Sequence, residues 1–263
     1  MEKKVFIVTG AAHGIGRALV GRVMQEGSNV VACDIDTAAL EKLREGSQAE
    51  RSLLLSASSV TVEEQIEKMV ESALDMFGRI DVLVNNAGGS ENWKHVRETG
   101  EFSLPGPIEA YDEEDWGKDI RLNLTSAFLC AKHVIPTMKK QKSGVIINIS
   151  SRAARTGGNF ETAGYAAGKS GLIGLTRRLA KELGPFNIRC NCVLPGFTLS
   201  VRNKQVWDSL TKERRDAIIE QIPLRRLAQP SEQVEVVMFL ASEDASYITG
   251  ISLDVNGGIY MTP

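Results

Sequence analysis

VFIVTGAAHGIG, at residues 5–16, joins an apolar strand to a helical run through a glycine-rich turn. Its three glycines, Gly10, Gly14 and Gly16, have the spacing G-x-x-x-G-x-G. Because glycine lacks a Cβ atom, such a turn lets backbone N–H groups and the positive end of the next helix approach a phosphate. A glycine pattern alone is weak evidence, but its place between the first strand and the first helix predicts a pyrophosphate-binding turn.

Short apolar runs, each bounded by turn residues, alternate with helical patterns along the chain. They are Val5 to Val8, Asn29 to Cys33, Leu53 to Leu55, Ile80 to Val84, Gly144 to Ile149, Ile188 to Leu194 and Ile251 to Val255. Runs without polar alternation are buried on both faces, which is typical of a parallel sheet covered by helices. We therefore predict an α/β fold: a doubly wound parallel sheet, Rossmann-like, of about seven strands with helices on both faces.

The chain has no linker, composition break or internal repeat, which predicts one domain over residues 1–263. Two long stretches, near residues 88–110 and 196–221, follow the fourth and sixth predicted strands. Sheets of this kind bind their ligands at the carboxyl ends of the strands. We therefore expect both stretches to be walls of a substrate site, with solvent-facing insertions as the alternative.

Charge and cysteine content argue against several other classes of protein. Lys and Arg total 31 against 33 for Asp and Glu, a net charge of -2, so nothing favours a nucleic-acid partner. No apolar segment has the length of a signal peptide or a membrane span, which predicts a cytoplasmic protein without a membrane partner. Cys190 and Cys192 share one face of a predicted strand with no histidine nearby, so we expect core packing and no metal site.

The second strand ends in Asp34, about 20 residues beyond the glycine turn, where an acidic side chain can accept hydrogen bonds from the adenosine ribose. A carboxylate there also repels a 2'-phosphate. No Arg or Lys directly follows Asp34 or lies in the turn before Arg17, where NADP would need a cation. These features predict NAD as the cofactor; a plain strand-end turn residue is the alternative for Asp34.

Tyr165 and Lys169 are four residues apart in a predicted helix, Tyr165 to Leu183, and therefore share one helical face. A free tyrosine has a pKa of about 10 and is a poor base at neutral pH. A nearby cation lowers that pKa, so the pair predicts an acid/base centre. On an exposed helix, however, the same spacing also arises by chance.

In addition to the turn Thr9 to Gly16, five short motifs follow in order along the chain. They are Asn85-Asn86-Ala87-Gly88, Asn123, Ser150-Ser151, Tyr165-x-x-x-Lys169 and Pro195-Gly196. With them the sequence resembles the short-chain dehydrogenase/reductase family over nearly its whole length. The resemblance implies a hydride-transferring enzyme in which the cofactor supplies the redox chemistry and the protein supplies geometry and charge.

The resemblance also implies a role for each matching residue. Tyr165 would be the proton donor and acceptor, Ser151 would polarise the substrate oxygen, and Lys169 would hold the nicotinamide ribose and tune Tyr165. Asn123 would position a water next to Lys169, and Thr198 would contact the carboxamide. The remaining cofactor contacts would be Gly10, His13, Gly14, Ile15, Gly16, Asp34, Ser59, Val60, Asn86, Ala87, Gly88, Pro195 and Gly196.

Three positions depart from the family pattern. Arg152 stands where the serine is expected, thirteen residues before Tyr165, so we infer a one-residue insertion after Ser151, with Ser150 as the alternative. Ser59 replaces the family's usual aspartate before Val60. Ser200 stands where the family often has threonine, which leaves open whether it or Thr198 meets the carboxamide.

Several charged residues beside these motifs have two interpretations. His95 in the first long stretch is a possible substrate contact. If Lys94, Arg97, Arg152 and Arg155 all point inward, an anionic substrate follows; otherwise they face solvent. The predicted helices Glu113 to Lys140 and Tyr165 to Leu183 are apolar on more than one face. This pattern, together with the resemblance, predicts a homotetramer or homodimer, against burial within one chain.

We therefore predict an NAD-dependent oxidoreductase that interconverts a small secondary alcohol (a sugar, polyol, hydroxysteroid or similar) and its ketone. One alternative is a 3-oxoacyl-thioester (acyl-carrier-protein) reductase, against which Asp34 argues, because that role in the family mostly uses NADPH. The other is a dinucleotide-sensing protein without turnover. The joint presence of Asn123, Ser151, Tyr165 and Lys169 argues against the sensor, which needs no acid/base pair.

Overall fold

The computed structural model describes residues 3–44, 51–90, 106–158 and 160–261. The predicted contacts Lys94, His95 and Arg97 lie outside the described residues, as does most of the first long stretch.

One parallel sheet forms the centre of the molecule. Its strands are β1 Val5–Thr9, β2 Asn29–Asp34, β3 Leu53–Ala57, β4 Val82–Asn85, β5 Gly144–Ile149, β6 Ile188–Pro195 and β7 Ser252–Val255. They lie in the order β3-β2-β1-β4-β5-β6-β7, and every neighbouring pair is parallel. The direction of winding reverses between β1 and β4, the place where such sheets bind ligands. The predicted seven-stranded, doubly wound fold is confirmed.

Helices cover both faces of the sheet. They are α1 Gly14–Gln25, α2 Thr37–Glu41, α3 Glu63–Phe77, α4 Glu113–Ile120, α5 Ser126–Gln141, α6 Ala153–Thr156, α7 Ala163–Leu183, α8 Val201–Ser209, α9 Lys212–Glu220 and α10 Pro230–Ala241. Alternation along β1 shows the two faces: Phe6 and Val8 pack in a core with residues of α1 and α10, and Ile7 packs in a second core with residues of α3, α5 and α7. Burial on both faces explains why the strand sequences lack polar alternation.

Two predicted elements differ from the structure. The expected single helix from Glu113 to Lys140 is interrupted by a π-helical turn, Arg121–Thr125, which contains Asn123. Such turns are rare and are often found at functional sites, because they shift one side chain out of the regular α-helical ladder. The stretch 196–221, expected as a loop, contains α8 and α9, each with a hydroxyl side chain, Ser200 or Thr211, as its N-cap.

The predicted subunit interface rests on apolar residues of the predicted helices Glu113 to Lys140 and Tyr165 to Leu183, and several of these residues are buried within the chain itself. Leu129, Leu172 and Leu179 are at most 7% exposed, whereas Phe128 is 49% exposed. Cys190 and Cys192 are both buried in the core, as expected from the sequence. Within the described part of the chain, no helix is both long and apolar enough to cross a membrane.

Candidate active site

A cleft of about 720 Å³ opens at the carboxyl ends of the strands. Residues from the loops after β1, β2, β4, β5 and β6 line it, together with α7. The lining residues used below are Gly10, His13, Gly14, Ile15, Asp34, Asp36, Asn86, Ala87, Gly88, Gly89, Ser90, Ser150, Ser151, Glu161, Tyr165, Lys169, Pro195, Gly196, Phe197, Thr198 and Ser200. The structure thus brings the glycine turn, Asp34 and the Tyr165–Lys169 pair into one cleft.

The glycine turn has a backbone that side chains would disrupt. Gly10 and Gly14 have φ values of 64° and 54°, in the left-handed region that favours glycine. The Asn86 side-chain amide donates to Thr9 O at 2.9 Å and to Gly10 O at 3.0 Å, which ties the turn to the end of β4. The N-terminus of α1 then faces the cleft from His13 onward. These features fit the pyrophosphate of a dinucleotide.

Gly16 does not line the cleft, but it controls how closely α1 approaches the turn. A Cβ atom at this position would overlap Gly10 O and lie 2.7 Å from the Asn86 side-chain amide nitrogen. For Gly16→Ala we expect NADH affinity to fall by about 10-fold or more, because the turn must shift and phosphate contacts depend on its geometry. Fluorescence titration of NADH measures this. Gly21→Ala, on the same helix with no atom within 4 Å of its Cβ, is the control and should bind normally.

Two carboxylates form the end of the cleft at β2. Asp34 accepts from Ala12 N at 3.0 Å and from Asp36 N at 3.1 Å. Asp36 accepts from Ala39 N at 3.0 Å and forms an ion pair with His13 at 2.8 Å. The hydrogen bond from Ala39 N, followed by that from His13, holds the pKa of Asp36 below its usual value. Among the described residues, no Arg or Lys lines this end of the cleft.

Ser59 and Val60, predicted to contact the cofactor, do not line the cleft. Ser59 N donates to the Gln65 side chain at 2.6 Å, and Val60 is buried in the core beside α3. The structure therefore places both residues away from the cleft, because the turn after β3 folds back onto the start of α3.

Tyr165 lies in the first turn of α7, beside Ser151 in the cleft. The expectation that a cation lowers its pKa is wrong for this environment. Burial raises the pKa of Tyr165, the charge of Glu161 adds to this effect, and the Ser151 hydroxyl and the charge of Arg152 oppose it. Desolvation disfavours the phenolate more than these opposing contacts favour it. Tyr165 is therefore protonated at neutral pH.

Lys169 lies one turn further along α7, and its Nζ is 5.7 Å from the centre of the Tyr165 ring. The ammonium donates to Ile149 O at 2.8 Å, and burial lowers the pKa of Lys169 to about 8. Gly88 packs directly against it, since a Cβ there would lie 2.7 Å from Nζ. A glycine at the end of β4 is thus required for Lys169 to reach the cleft.

Asn123 stands behind the cleft wall and does not line the cleft. Its side chain accepts from Gly89 N at 3.1 Å and donates to Gly89 O at 2.8 Å and to Asp119 O at 3.0 Å. The π-helical turn presents Asn123 to the chain that leaves β4. In the described structure its partners are backbone groups of this wall.

Two assignments were left open by the sequence: Ser150 or Ser151 beside the acid/base residue, and Thr198 or Ser200 at the carboxamide. The hydroxyl of Ser150 is buried and donates to Lys169 O at 2.7 Å, whereas the Ser151 hydroxyl opposes the rise in the pKa of Tyr165. This geometry favours Ser151 over Ser150 as the group beside the acid/base residue. Thr198 and Ser200 both line the cleft and both hydroxyls have partners: Thr198 donates to Gly196 O at 3.2 Å, and Ser200, the N-cap of α8, accepts from Asn203 N at 3.2 Å. The structure therefore does not choose between them.

Sequence reasoning missed Glu161 and Phe197, which line the cleft next to Tyr165. It also left the arginines undecided. Arg155 forms an ion pair with Asp254 at 3.3 Å, and the Arg152 guanidinium stacks on the Phe197 ring at 4.5 Å. Neither arginine lines the cleft, so they do not support the anionic substrate. Glu161 has no sequence signal, because it lies in the irregular loop between α6 and α7.

Glu161→Gln tests the electrostatic contribution of this carboxylate. Its removal should lower the pKa of Tyr165, so that the higher of the two alkaline transitions of carbonyl reduction, above the one of Lys169 at about 8, moves to lower pH. The measurement is kcat against pH with saturating substrates. Glu67→Gln, an exposed residue on α3, is the control and should leave the profile in place. An unmoved or alkaline-shifted transition in Glu161→Gln contradicts the assignment.

The cleft combines a phosphate-binding turn, carboxylates at the ribose end and a serine–tyrosine–lysine group at the other end. Ser151 and Tyr165 can both donate hydrogen bonds to one carbonyl oxygen, and a protonated tyrosine can transfer its proton to that oxygen. This arrangement suits the reduction of a carbonyl group beside a nicotinamide.

Comparison with known proteins supports this chemistry. A sequence profile described as enoyl-(acyl carrier protein) reductase matches residues 10–260. The 3-oxoacyl-(acyl-carrier-protein) reductase FabG of Thermotoga maritima is 38% identical over 98% of each chain. The protein of that name from Vibrio cholerae is 38% identical over 99% of each chain. The crystal structure of levodione reductase matches with a TM-score of 0.85 at 29% identity, over 97% of this chain and 96% of that chain.

These relatives correct the predicted substrate. The names of the sequence relatives favour the alternative of a 3-oxoacyl-thioester reductase, so the prediction of a sugar, polyol, hydroxysteroid or similar small alcohol is wrong. Sequence patterns missed it because substrate choice depends on the cleft walls and not on the shared acid/base motif. The chain is an oxidoreductase of CH–OH and keto groups that takes a nicotinamide dinucleotide. It belongs to the short-chain dehydrogenase/reductase family, as the match over residues 10–260 and the full-length relatives show.

Proposed function

We propose that this protein reduces the keto group of a 3-oxoacyl thioester carried on an acyl carrier protein to the corresponding 3-hydroxyacyl thioester. The observation that carries the proposal is the placement of Ser151, Tyr165 and Lys169 together in a cleft that fits a dinucleotide. The names of relatives at 35–38% identity supply the substrate class. On this proposal the chain acts as a single domain, and residues near 88–110 and 196–221 form the substrate walls.

Tyr165 is the acid in the proposed reaction. Ser151 and Tyr165 bind the keto oxygen, and Tyr165 transfers its proton to that oxygen; a nicotinamide held in the cleft would supply the hydride to the carbonyl carbon. The raised pKa of Tyr165 favours this direction, because the residue is protonated before the reaction. Lys169 would hold the nicotinamide ribose, and its ammonium stabilises the tyrosinate after proton transfer, until solvent returns the proton.

NADH is the proposed reductant. Asp34 and Asp36 place two carboxylates at the end of the cleft where the adenosine ribose of a dinucleotide would lie. The Asp34 carboxylate can accept from ribose hydroxyls, whereas a 2'-phosphate would meet negative charge without an Arg or Lys among the described lining residues. We further propose that the protein works in the cytoplasm as a homotetramer or homodimer. Phe128, which is 49% exposed, is a candidate contact between its subunits.

The test compares acetoacetyl and crotonyl thioesters of the same carrier with NADH. A keto oxygen accepts a proton from Tyr165, whereas reduction of an enoyl double bond places the second hydrogen on carbon. We therefore expect turnover of the acetoacetyl thioester and none of the crotonyl thioester. Turnover of the crotonyl thioester alone would indicate an enoyl reductase, the activity named in the description of the matched profile, and would refute the proposal.

A further inference from the structure

Asp119 is a buried carboxylate that the proposed reaction does not use. It lies on α4, is 1% exposed and has no ion-pair partner among the described residues. Burial of a carboxylate is costly unless hydrogen bonds satisfy it. Here the donors are two hydroxyls: Tyr111 at 2.7 Å and Thr162.

Thr162 connects Asp119 to the acid/base helix. It is the N-cap of α7, and its Oγ1 accepts from Tyr165 N at 3.3 Å. Gly164, next to Tyr165, packs on the same carboxylate, since a Cβ there would lie 2.8 Å from Asp119 Cβ. The position of the first turn of α7 therefore depends on Asp119.

Ser90 connects Thr162 to the cleft wall. Because a carboxylate only accepts, Thr162 donates its one hydroxyl proton to Asp119, and Ser90 donates to Thr162 Oγ1 at 3.1 Å. Thr162 N donates back to Ser90 Oγ at 3.2 Å. We name Asp119, Thr162 and Ser90 the clasp. From donor to acceptor, its hydrogen bonds run from the cleft-lining Ser90 through Thr162 to the buried Asp119 carboxylate.

We propose that Asp119 is a positioning residue for Tyr165, and that the clasp holds the first turn of α7 against the Gly89–Ser90 wall of the cleft. A buried hydrogen-bond network fixes the relative positions of the elements that it joins. Asn123, in the π-helical turn that follows Asp119, adds hydrogen bonds to Gly89 in the same cleft wall. The role in catalysis rests on the proposed reduction by Tyr165.

Thr162→Val and Ser90→Ala break the clasp at its middle and at its cleft end. We expect each to lower kcat for the acetoacetyl thioester by about 10-fold or more, because displacing a proton donor by about 1 Å has effects of this size. NADH affinity should stay within about 3-fold, since the dinucleotide contacts lie elsewhere. Thr162→Ser, which keeps the hydroxyl, should restore kcat.

Thr176→Val is the matched control for lost stability. Thr176 is a buried threonine on the same helix, and its hydroxyl donates to Leu172 O at 2.7 Å and accepts from the Asn148 side-chain amide at 2.8 Å. Its Tm should fall as in Thr162→Val, yet kcat should stay within about 2-fold. Equal losses of kcat in Thr176→Val and Thr162→Val would overturn the proposal, because stability alone would then explain both.

Amide hydrogen exchange tests the clasp without any turnover. Ser90→Ala should speed exchange across residues 162–168, although Ser90 is remote from them in sequence, while Thr176→Val should not. Unchanged exchange there in Ser90→Ala would overturn the proposal. If the wild-type protein does not reduce the thioester, the proposed function fails, and this exchange measurement still decides whether the clasp positions the helix.

Discussion

Tyr165→Phe is expected to lower kcat for the 3-oxoacyl thioester by about 10²- to 10⁴-fold, the usual contribution of a positioned general acid. The substitution removes one oxygen, which lies beside Ser151 and would give its proton to the substrate. The ring remains, so the packing of α7 should persist. Steady-state reduction, followed by NADH absorbance, measures the effect.

Two measurements separate this loss from unfolding. NADH affinity of Tyr165→Phe should stay within about 10-fold of wild type, because removal of one hydroxyl costs at most one hydrogen bond to the cofactor. Tyr247→Phe, at a side chain that is fully exposed, is the matched substitution and should be fully active. A Tyr165→Phe variant with normal kcat would remove Tyr165 from the acid role.

Asp34→Asn is expected to change the ratio of kcat/KM for NADH over NADPH by about 100-fold in favour of NADPH. Two unit charges 4 Å apart repel by about 4 kcal/mol at an effective dielectric constant of 20, and solvent at an open cleft reduces this figure. The amide oxygen can still accept from Ala12 N, but the amide NH2 group cannot accept from Asp36 N, so NADH binding should lose at most about one hydrogen bond. Initial rates with each reductant give the ratio.

Asp36→Asn is the comparison variant for this prediction. Its carboxylate lies at the same end of the cleft but forms an ion pair with His13, so its removal should change the ratio less. A wild-type protein that uses NADPH as well as NADH would contradict the role of Asp34. The expected preference would set this chain apart from the NADPH use that the family resemblance implies for 3-oxoacyl reductases.

The environment of Tyr165 also bears on the direction of the reaction. A cation-lowered pKa, as the spacing to Lys169 suggested, would favour a base and hence alcohol oxidation. The structure instead places the half-buried phenol beside Glu161 and directs the Lys169 ammonium to Ile149 O. A protonated phenol is the form that carbonyl reduction requires, in agreement with the reductase names of the relatives.

Local sequence was sufficient to predict the sheet, the glycine turn and the Tyr165–Lys169 pair, because each depends on residues close together in the chain. Apolar runs form strands, glycine permits the left-handed turn at Gly10, and a spacing of four places two side chains on one helical face. Their order along the chain also sufficed to identify the family.

Other features became visible only in three dimensions. Glu161 reaches the cleft from an irregular loop, Ser59 and Val60 turn away from it, and the Asp119–Thr162–Ser90 clasp joins residues up to 72 positions apart. No periodicity encodes such contacts, since they depend on how helices pack on the sheet. The pKa of Tyr165 is likewise a property of its buried surroundings, because desolvation is set by the whole fold and not by the next turn of the helix.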